Sequence, residues 1–383
     1  MSTSTTGVQD RTLVRRSARG PVNRNEVLLE VKDLRVTFQR RGGHPTRAVD
    51  GVSFAVKPGE VVGIVGESGS GKSVTSMAVM GLLPSRGVQV SGQALYRGQD
   101  LLTLPAGQLS DLRGRELAMV FQDPMSSLNP VVPVGTQVTE VLLRHQDISR
   151  SAARDEAEDL LRRCGIPDPG RRLKEYPHQL SGGMRQRALI AIALACKPAL
   201  LICDEPTTAL DVTIQAQVLE LLKELVNDLG TAMVMITHDL GVVAGLCDFV
   251  NVMYAGRVVE AAPRRELFGH PRHRYTEGLL ASIPRLDAPR GEPLRPIPGT
   301  PRDVLGWSQG CAFAPRCRHA ADDCIVADLP LEPLGRLAHE VRCVHPAAEA
   351  AGPAHTSSDL SAAVVAGTTT NADKSGLDEG ERR

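Results

Sequence analysis

The sequence predicts an α/β protein built on parallel strands, and three observations carry that prediction. Short apolar or β-branched segments alternate with amphipathic helical ones. One strand-to-helix junction is rich in glycine. Beyond about residue 284 the text turns to Pro, Gly and Arg, so the alternating part ends there and a linker begins. The resulting division is a polar, disordered segment 1–26, a core over 27–285 and a linker with a small cysteine-rich C-terminal extension over 286–346. An Ala/Ser/Thr/Gly tail, also expected to be disordered, covers 347–383.

Within the core, LLEVKDLRVTF (28–38) and AVDGVSFAV (48–56) read as strands, with alternation or β-branched residues between turn signals. Val61–Val65 is a short buried strand that runs into the glycine-rich turn, and Ser73–Leu83 reads as a helix stopped by Pro84. Residues 123–180 are richer in charge and helical pattern, notably ARDEAEDLLRRCG, which Gly165 can cap. A helix at Met184–Cys196 leads to the apolar strand ALLIC (199–203). A further helix carries Val218, Leu221, Leu222 and Leu225 and ends at Gly230, before the buried strand AMVMI (232–236).

Composition bounds the function. The 383 residues, 42% hydrophobic, suffice for two or three domains. With 44 basic and 44 acidic side chains the chain is formally neutral, which argues against binding nucleic acid by bulk charge. Aromatics at 3% leave few platforms for stacking bases. The longest apolar run, Ala188–Cys196, stops at Lys197-Pro198, short of the roughly 18 residues a membrane span needs. The first 20 residues lack the apolar stretch of a secretory signal, so a cytoplasmic location is expected.

The sharpest local signal is Gly66-Glu67-Ser68-Gly69-Ser70-Gly71-Lys72-Ser73, which fits G-x-x-x-x-G-K-[ST] between an expected strand and helix. Backbone N–H groups in such a loop turn inward around phosphates, and the helix N-terminus adds partial positive charge. Lys72 would neutralise phosphate oxygens and the Ser73 hydroxyl would ligate Mg²⁺. A chance match among 36 glycines is the bland alternative, and the strand and helix on either side weigh against it. Next, Leu200–Ile202 and Cys203 run into Asp204-Glu205; a buried strand ending in two carboxylates is costly unless they meet a cation or water. Asp204 suits an indirect contact to Mg²⁺, and Glu205 a base or orienter for attacking water. Finally, Ser181, Gly182 and Gly183 open a helix and form a second anion nest, where a plain N-cap is the alternative.

In this order the motifs resemble those of the ATP-binding subunits of ABC transporters, over about residues 27–285. Gln122 in FQDP resembles the Q-loop glutamine, LSGGM the signature sequence, Asp204-Glu205 the Walker B ending, Ala209-Leu210-Asp211 the D-loop and His238 in ITHD the switch histidine. Phe38 is the expected adenine-stacking aromatic, followed by an insertion, RRGGHPTR. The resemblance implies an ABC-type P-loop ATPase with a helical subdomain at about 123–180. It also implies a head-to-tail dimer in which each ATP lies between one phosphate loop and the other subunit's signature. Ser181 and Gly183 would then contact the partner's nucleotide, and Gly182 and Asp211 are further expected nucleotide-binding residues. Glu205 would polarise water, while His238 and Gln122 position the γ-phosphate, water and Mg²⁺. Met184, where many such proteins have Gln, and Cys203, in place of a smaller residue, are minor departures.

Further features, MYAGRVVE (253–260), HPRHRYTEGLLASIP (270–284), FQDPMSSLNP and EPTTALDVTIQAQ, resemble the ATP-binding subunits of bacterial dipeptide and oligopeptide importers. That implies a peripheral subunit on the cytoplasmic face of the membrane, energising peptide uptake. Its partners would be a second ATP-binding subunit, expected to be a distinct homologue, two transmembrane permease subunits and an extracytoplasmic peptide-binding protein. The 123–180 segment would receive the permease's coupling helix. The alternatives are an importer ATPase for nickel or another small solute, and a soluble ABC-type ATPase acting on nucleic acid or the ribosome. The latter usually has two ATPase cores or a long coiled-coil arm, and this chain has one phosphate loop.

Of eight cysteines, Cys164, Cys196, Cys203 and Cys247 sit in apolar or helical surroundings as small hydrophobes. Cys311, Cys317, Cys324 and Cys343 are spaced C-x₅-C-x₆-C-x₁₈-C, which by itself is compatible with zinc, an iron–sulfur cluster, two disulfides or free thiols. The importer resemblance implies a [4Fe–4S] cluster, with Zn²⁺ the alternative metal and a structural or regulatory role. His319, His339 and His345 are nearby side chains that could replace a thiolate. GTPRDVLGW is expected to pack the extension on the core.

Overall fold

A computed structural model of the chain describes residues 26–39, 44–208, 210–283, 296–300, 310–326, 329–335 and 338–348. Residues 1–25 of the expected disordered segment 1–26, the tail 347–383 from 349 on, Ala209, most of the linker and the GTPRDVLGW stretch from residue 301 lie outside the described residues, whereas Ala347 is buried and its N–H donates to the Arg272 carbonyl at 2.8 Å.

Two sheets form the frame. The smaller is antiparallel, in the order β2-β1-β4-β5, from β1 (Leu29–Phe38), β2 (Thr46–Val56), β4 (Val88–Tyr96) and β5 (Gln99–Asp100). The larger contains β3 (Val61–Val65), β6 (Leu117–Val120), β7 (Leu200–Asp204), β8 (Ala232–Thr237), β9 (Phe249–Tyr254), β10 (Arg257–Pro263), β11 (Glu332–Pro333) and β12 (Glu340–Val341). Its order is β11-β12-β10-β9-β3-β8-β7-β6, and the run β9-β3-β8-β7-β6 is parallel. Every residue of β3, β7 and β8 is buried, as in strands covered on both faces.

Side-chain alternation divides the core. Val62 and Ile64, Leu200 and Ile202, and Val234 and Ile236 face the antiparallel sheet and pack with Leu29, Leu34 and Val36. Their neighbours Val61 and Val65, Leu201 and Cys203, and Met233 and Met235 face the helices. Among the latter are Val134–His145, Arg150–Arg163 and Gly182–Leu194, which with short turns at Pro124–Ser127 and Pro169–Arg172 fill the charged middle of the chain.

Helix ends follow local chemistry. The expected helix Ser73–Leu83 is found as Lys72–Val79, ending at a Met80 cap just before Gly81, which takes the left-handed φ of 62°, ahead of Pro84. The expected Met184 start moves to Gly182, because the Ser181 hydroxyl caps the helix by accepting the Met184 N–H at 3.3 Å. Of the four scattered cysteines, Cys164, Cys203 and Cys247 are buried and Cys196 is half-buried. The segment MYAGRVVE is a hairpin: Ala255 and Gly256, with φ 48° and 81°, join β9 to β10.

The C-terminal segment adds to this frame as sheet. β12 pairs antiparallel with β10, and the Arg342 N–H donates to the Val259 carbonyl at 2.8 Å. His339 meets the fully buried Glu260 at 2.7 Å. Among the described residues no helix is long and apolar enough to cross a membrane.

Candidate active site

The parallel strands converge, at their carboxyl ends, on a cleft of about 650 Å³. After β3 the chain enters the glycine-rich loop. A Cβ on Gly66 would overlap the Met253 carbonyl oxygen, and one on Gly71 (φ 100°) the Ala48 carbonyl oxygen, so β9 and β2 approach too closely for any other residue. The helix Lys72–Val79 starts there without a side-chain cap, which leaves its first N–H groups for an anion.

Lys72 is buried and folds back on the loop, donating to the carbonyls of Gly66 at 2.7 Å and Glu67 at 2.9 Å. Burial pushes its pKa down, against the opposing pull of Glu205, Asp204 and Glu67. The Ser73 hydroxyl donates to Asp204 Oδ1 at 2.9 Å, joining the two residues that the sequence assigns to Mg²⁺. Burial raises the Asp204 pKa, opposed by the Ser73 hydrogen bond and aided by the charge on Glu205. A part-buried hydroxyl–carboxylate pair beside an ammonium is an all-oxygen donor set for a hard cation, so these residues fit Mg²⁺.

Glu205 is held with a left-handed backbone (φ 46°), its N–H donating to the Ile236 carbonyl at 2.9 Å. One carboxylate oxygen, Oε2, gathers three groups: the Thr208 hydroxyl at 2.9 Å, Gln122 Nε2 at 3.1 Å and His238 Nδ1 at 3.3 Å. Gln122 lies just past β6, Glu205 past β7 and His238 past β8, so three separate crossovers deliver one constellation. Such an arrangement can fix a carboxylate next to a phosphate site, where it can orient water and take its proton. Sequence reasoning missed Thr208; its signal was the pair of threonines following Glu205-Pro206. Thr208→Val, which removes the hydroxyl at an exposed position, is expected to lower kcat about tenfold at nearly unchanged KM in steady-state ATPase kinetics.

Comparison with known proteins identifies the family. The sequence model of the ABC transporter family matches residues 49–208, and that of the oligopeptide/dipeptide transporter C-terminal region matches residues 259–324. The oligopeptide transport ATP-binding protein OppD of Escherichia coli (strain K12) is 52% identical over 307 residues, covering 80% of this chain and 90% of the relative. This chain belongs to that family of ABC ATP-binding proteins. The dipeptide transport ATP-binding protein DppD of Bacillus subtilis (strain 168) is 53% identical over 293 residues, or 76% of this chain and 87% of the relative. A solved dimeric bacterial ABC transporter cassette is 28% identical with a TM-score of 0.56, covering 62% of this chain and 99% of that one. The same cassette has been solved in a post-hydrolysis state with ADP and phosphate, with a TM-score of 0.55.

Not every expected residue lies in the cleft. Ser181 caps the helix Gly182–Leu194, and Asp211 caps Val212–Leu229 by accepting the Ile214 N–H at 3.0 Å. The two helix starts pack together, Gly183 against Ile214, and neither lines the cleft of this subunit. Phe38, the expected adenine-stacking aromatic, is not among the residues that line this cleft. By strand alternation it shares the face of the buried Val36, and it packs at the edge of the core between the sheets, away from the cleft lining. Among the described residues no Phe, Tyr or Trp lines the cleft.

The late cysteines do come together. Cys311, Cys317, Cys324 and Cys343 are free thiols lining one small cavity beside His273, and the Cys311 N–H donates to the Cys324 carbonyl at 2.7 Å. His273, 1% exposed, accepts the Tyr275 N–H on Nδ1 at 3.1 Å, which puts its ring proton on Nε2. That Nε2 is buried without a partner. His339 is committed to Glu260, and His345 pairs with Asp323 at 2.9 Å. Four thiols around a cavity that also holds an unanswered N–H donor fit a sulfur-bound metal group.

Proposed function

We propose that this ABC ATPase energises the uptake of di- or oligopeptides, as a peripheral subunit on the cytoplasmic face of the membrane. In this reading it works with a distinct homologous ATP-binding subunit, two transmembrane permease subunits and an extracytoplasmic peptide-binding protein. The observation that carries it is the joining, in one chain, of the nucleotide cleft to a segment matching the oligopeptide/dipeptide transporter C-terminal region at residues 259–324.

The residues divide the chemistry as follows. The loop from Gly66 through Glu67, Ser68, Gly69, Ser70 and Gly71 offers N–H groups to the triphosphate, and Lys72 exchanges its two loop carbonyls for phosphate oxygens. Ser73, Asp204 and Gln122 hold Mg²⁺, which when bound offsets the phosphates' negative charge. Glu205, fixed by Thr208, Gln122 and His238, accepts the proton of the water that attacks the γ-phosphorus, and ADP departs as the leaving group. Ser181, Gly182, Gly183 and Asp211 serve the nucleotide on the second subunit, which accounts for a capped, glycine-rich helix start standing outside this subunit's own cleft.

In the same reading Cys311, Cys317, Cys324 and Cys343 hold a [4Fe–4S] cluster that staples the extension, with Zn²⁺ the alternative. The shared cavity of the four thiols supports a sulfur-bound group. A tetrahedral zinc with bonds of about 2.3 Å holds its sulfurs within about 4 Å of one another. Among the described residues, the trio of ligand atoms all within 4.8 Å is Asp323, Cys324 and His345, not three of these cysteines.

Reconstitution of the subunit with its permeases, second ATPase and binding protein in liposomes tests the transport reading. A labelled tripeptide is expected to accumulate and to stimulate ATP hydrolysis. Stimulation by nickel and not by peptides of two to five residues would replace peptide with a small solute as cargo.

A further inference from the structure

Glu67, the second residue of the phosphate loop, ties that loop to the cysteine-rich extension. All of its polar groups are engaged. Its N–H donates to the Tyr275 hydroxyl at 2.9 Å, its carbonyl accepts from the Lys72 ammonium at 2.9 Å, and its carboxylate receives both terminal nitrogens of Arg316 at 2.7 and 3.0 Å. Arg316 is 6% exposed and is itself immobilised. Its Nε donates to the Pro298 carbonyl at 2.7 Å and one Nη reaches the Tyr254 hydroxyl at 3.3 Å. The guanidinium also lies over the rings of Tyr254 and Phe313, at 5.7 and 6.0 Å. A forked pair of this kind, with the guanidinium buried and the carboxylate half-buried, fixes direction as well as charge.

We propose that Arg316 is a positioning residue for the nucleotide: through Glu67 it holds the phosphate loop in its binding conformation and cancels a carboxylate that would otherwise face the triphosphate. Two physical arguments lead there. First, Lys72 must release the Glu67 carbonyl to reach a phosphate. Within the loop the Ser70 N–H, 3.2 Å away, still reaches that carbonyl, and the anchors from outside the loop are then Tyr275 and Arg316, both supplied by the chain beyond residue 270. Second, Glu67 lines the nucleotide cleft. A lone carboxylate there repels phosphate oxygens across a partly desolvated gap, whereas the Glu67–Arg316 pair presents no net charge. The extension thus completes the nucleotide site from behind the loop, and Cys317 follows Arg316 directly in sequence.

Calorimetric titration of the full-length chain with Mg²⁺ and the non-hydrolysable analogue AMP-PNP tests this. Arg316→Met is expected to raise Kd about tenfold by leaving Glu67 unpaired. Glu67→Gln removes the charge together with the pair, and its own Kd serves as the reference for the double variant. The double variant Glu67→Gln/Arg316→Met should return to the Glu67→Gln value and not to that of Arg316→Met. In steady-state kinetics the single Arg316 variant should lose kcat/KM through KM, with kcat kept at saturating ATP. A role confined to folding would lower the melting temperature but would not be reversed by the second substitution. Parental affinity in Arg316→Met, or a double variant as weak as it, overturns the proposal. Should Arg316→Met not fold, Arg316→Lys keeps the charge and loses the fork. A weaker Kd there, restored by Glu67→Gln, supports the proposal; equal affinities refute it.

Discussion

Glu205→Gln is expected to reduce ATP hydrolysis by at least about a hundredfold while AMP-PNP binding stays within a few-fold of the parent. The substitution is nearly isosteric and keeps an oxygen that can accept from Thr208 and Gln122, so the constellation on Oε2 survives. What disappears is the charge that takes a proton from water. Binding should not suffer, since Glu205 is one of three carboxylates whose charges act on Lys72, and a neutral amide there removes repulsion from the incoming phosphates. Single-turnover phosphate release and calorimetric binding on the same preparation check the two halves of this expectation. Equal losses in both would make Glu205 a scaffold for the loop. Retained hydrolysis would move the proton acceptor to another group, with His238, 3.3 Å away, first in line.

What the sequence disclosed, and what it hid, follows from how local each signal is. The buried strands β3, β7 and β8 are continuous apolar runs bounded by turns, and they were legible because both of their faces need apolar residues. β4 escaped because its first six residues are half-buried or exposed, so no alternation marks it; its pairing with β1 is a tertiary fact. The two-residue strands β11 and β12 are too short to carry a period at all. The nucleotide loop and the Asp204-Glu205 strand end were readable since each motif is contiguous and has a physical reason for its spacing. The Glu67–Arg316 pair spans 249 positions, and no local pattern announces such a partner.

Replacing Cys311, Cys317, Cys324 and Cys343 together by Ser is expected to take the anaerobically purified protein from about four irons per chain and a broad visible absorption band to neither. The argument rests on how little else holds this segment together. Its described regular structure is one short turn at Ala314–Arg316, the helix Asp323–Val326 and two strands of two residues. A piece that small rarely stands without a staple. One face does have an apolar anchor, Phe313, whose ring lies 5.4 Å from both Tyr254 and Tyr275. Hydrogen exchange should therefore rise across residues 317–343 in the variant and less around Phe313, where packing persists. Stoichiometric zinc in the parent would keep the staple and change its identity. A parent without metal and with equal protection would show that packing alone suffices. The same variant bears on nucleotide binding, since loosening Cys317 frees its neighbour Arg316 and, through it, Glu67. Its AMP-PNP affinity should fall in the direction of Arg316→Met and by less, because Pro298, Tyr254 and Phe313 still hold the guanidinium from the other sides.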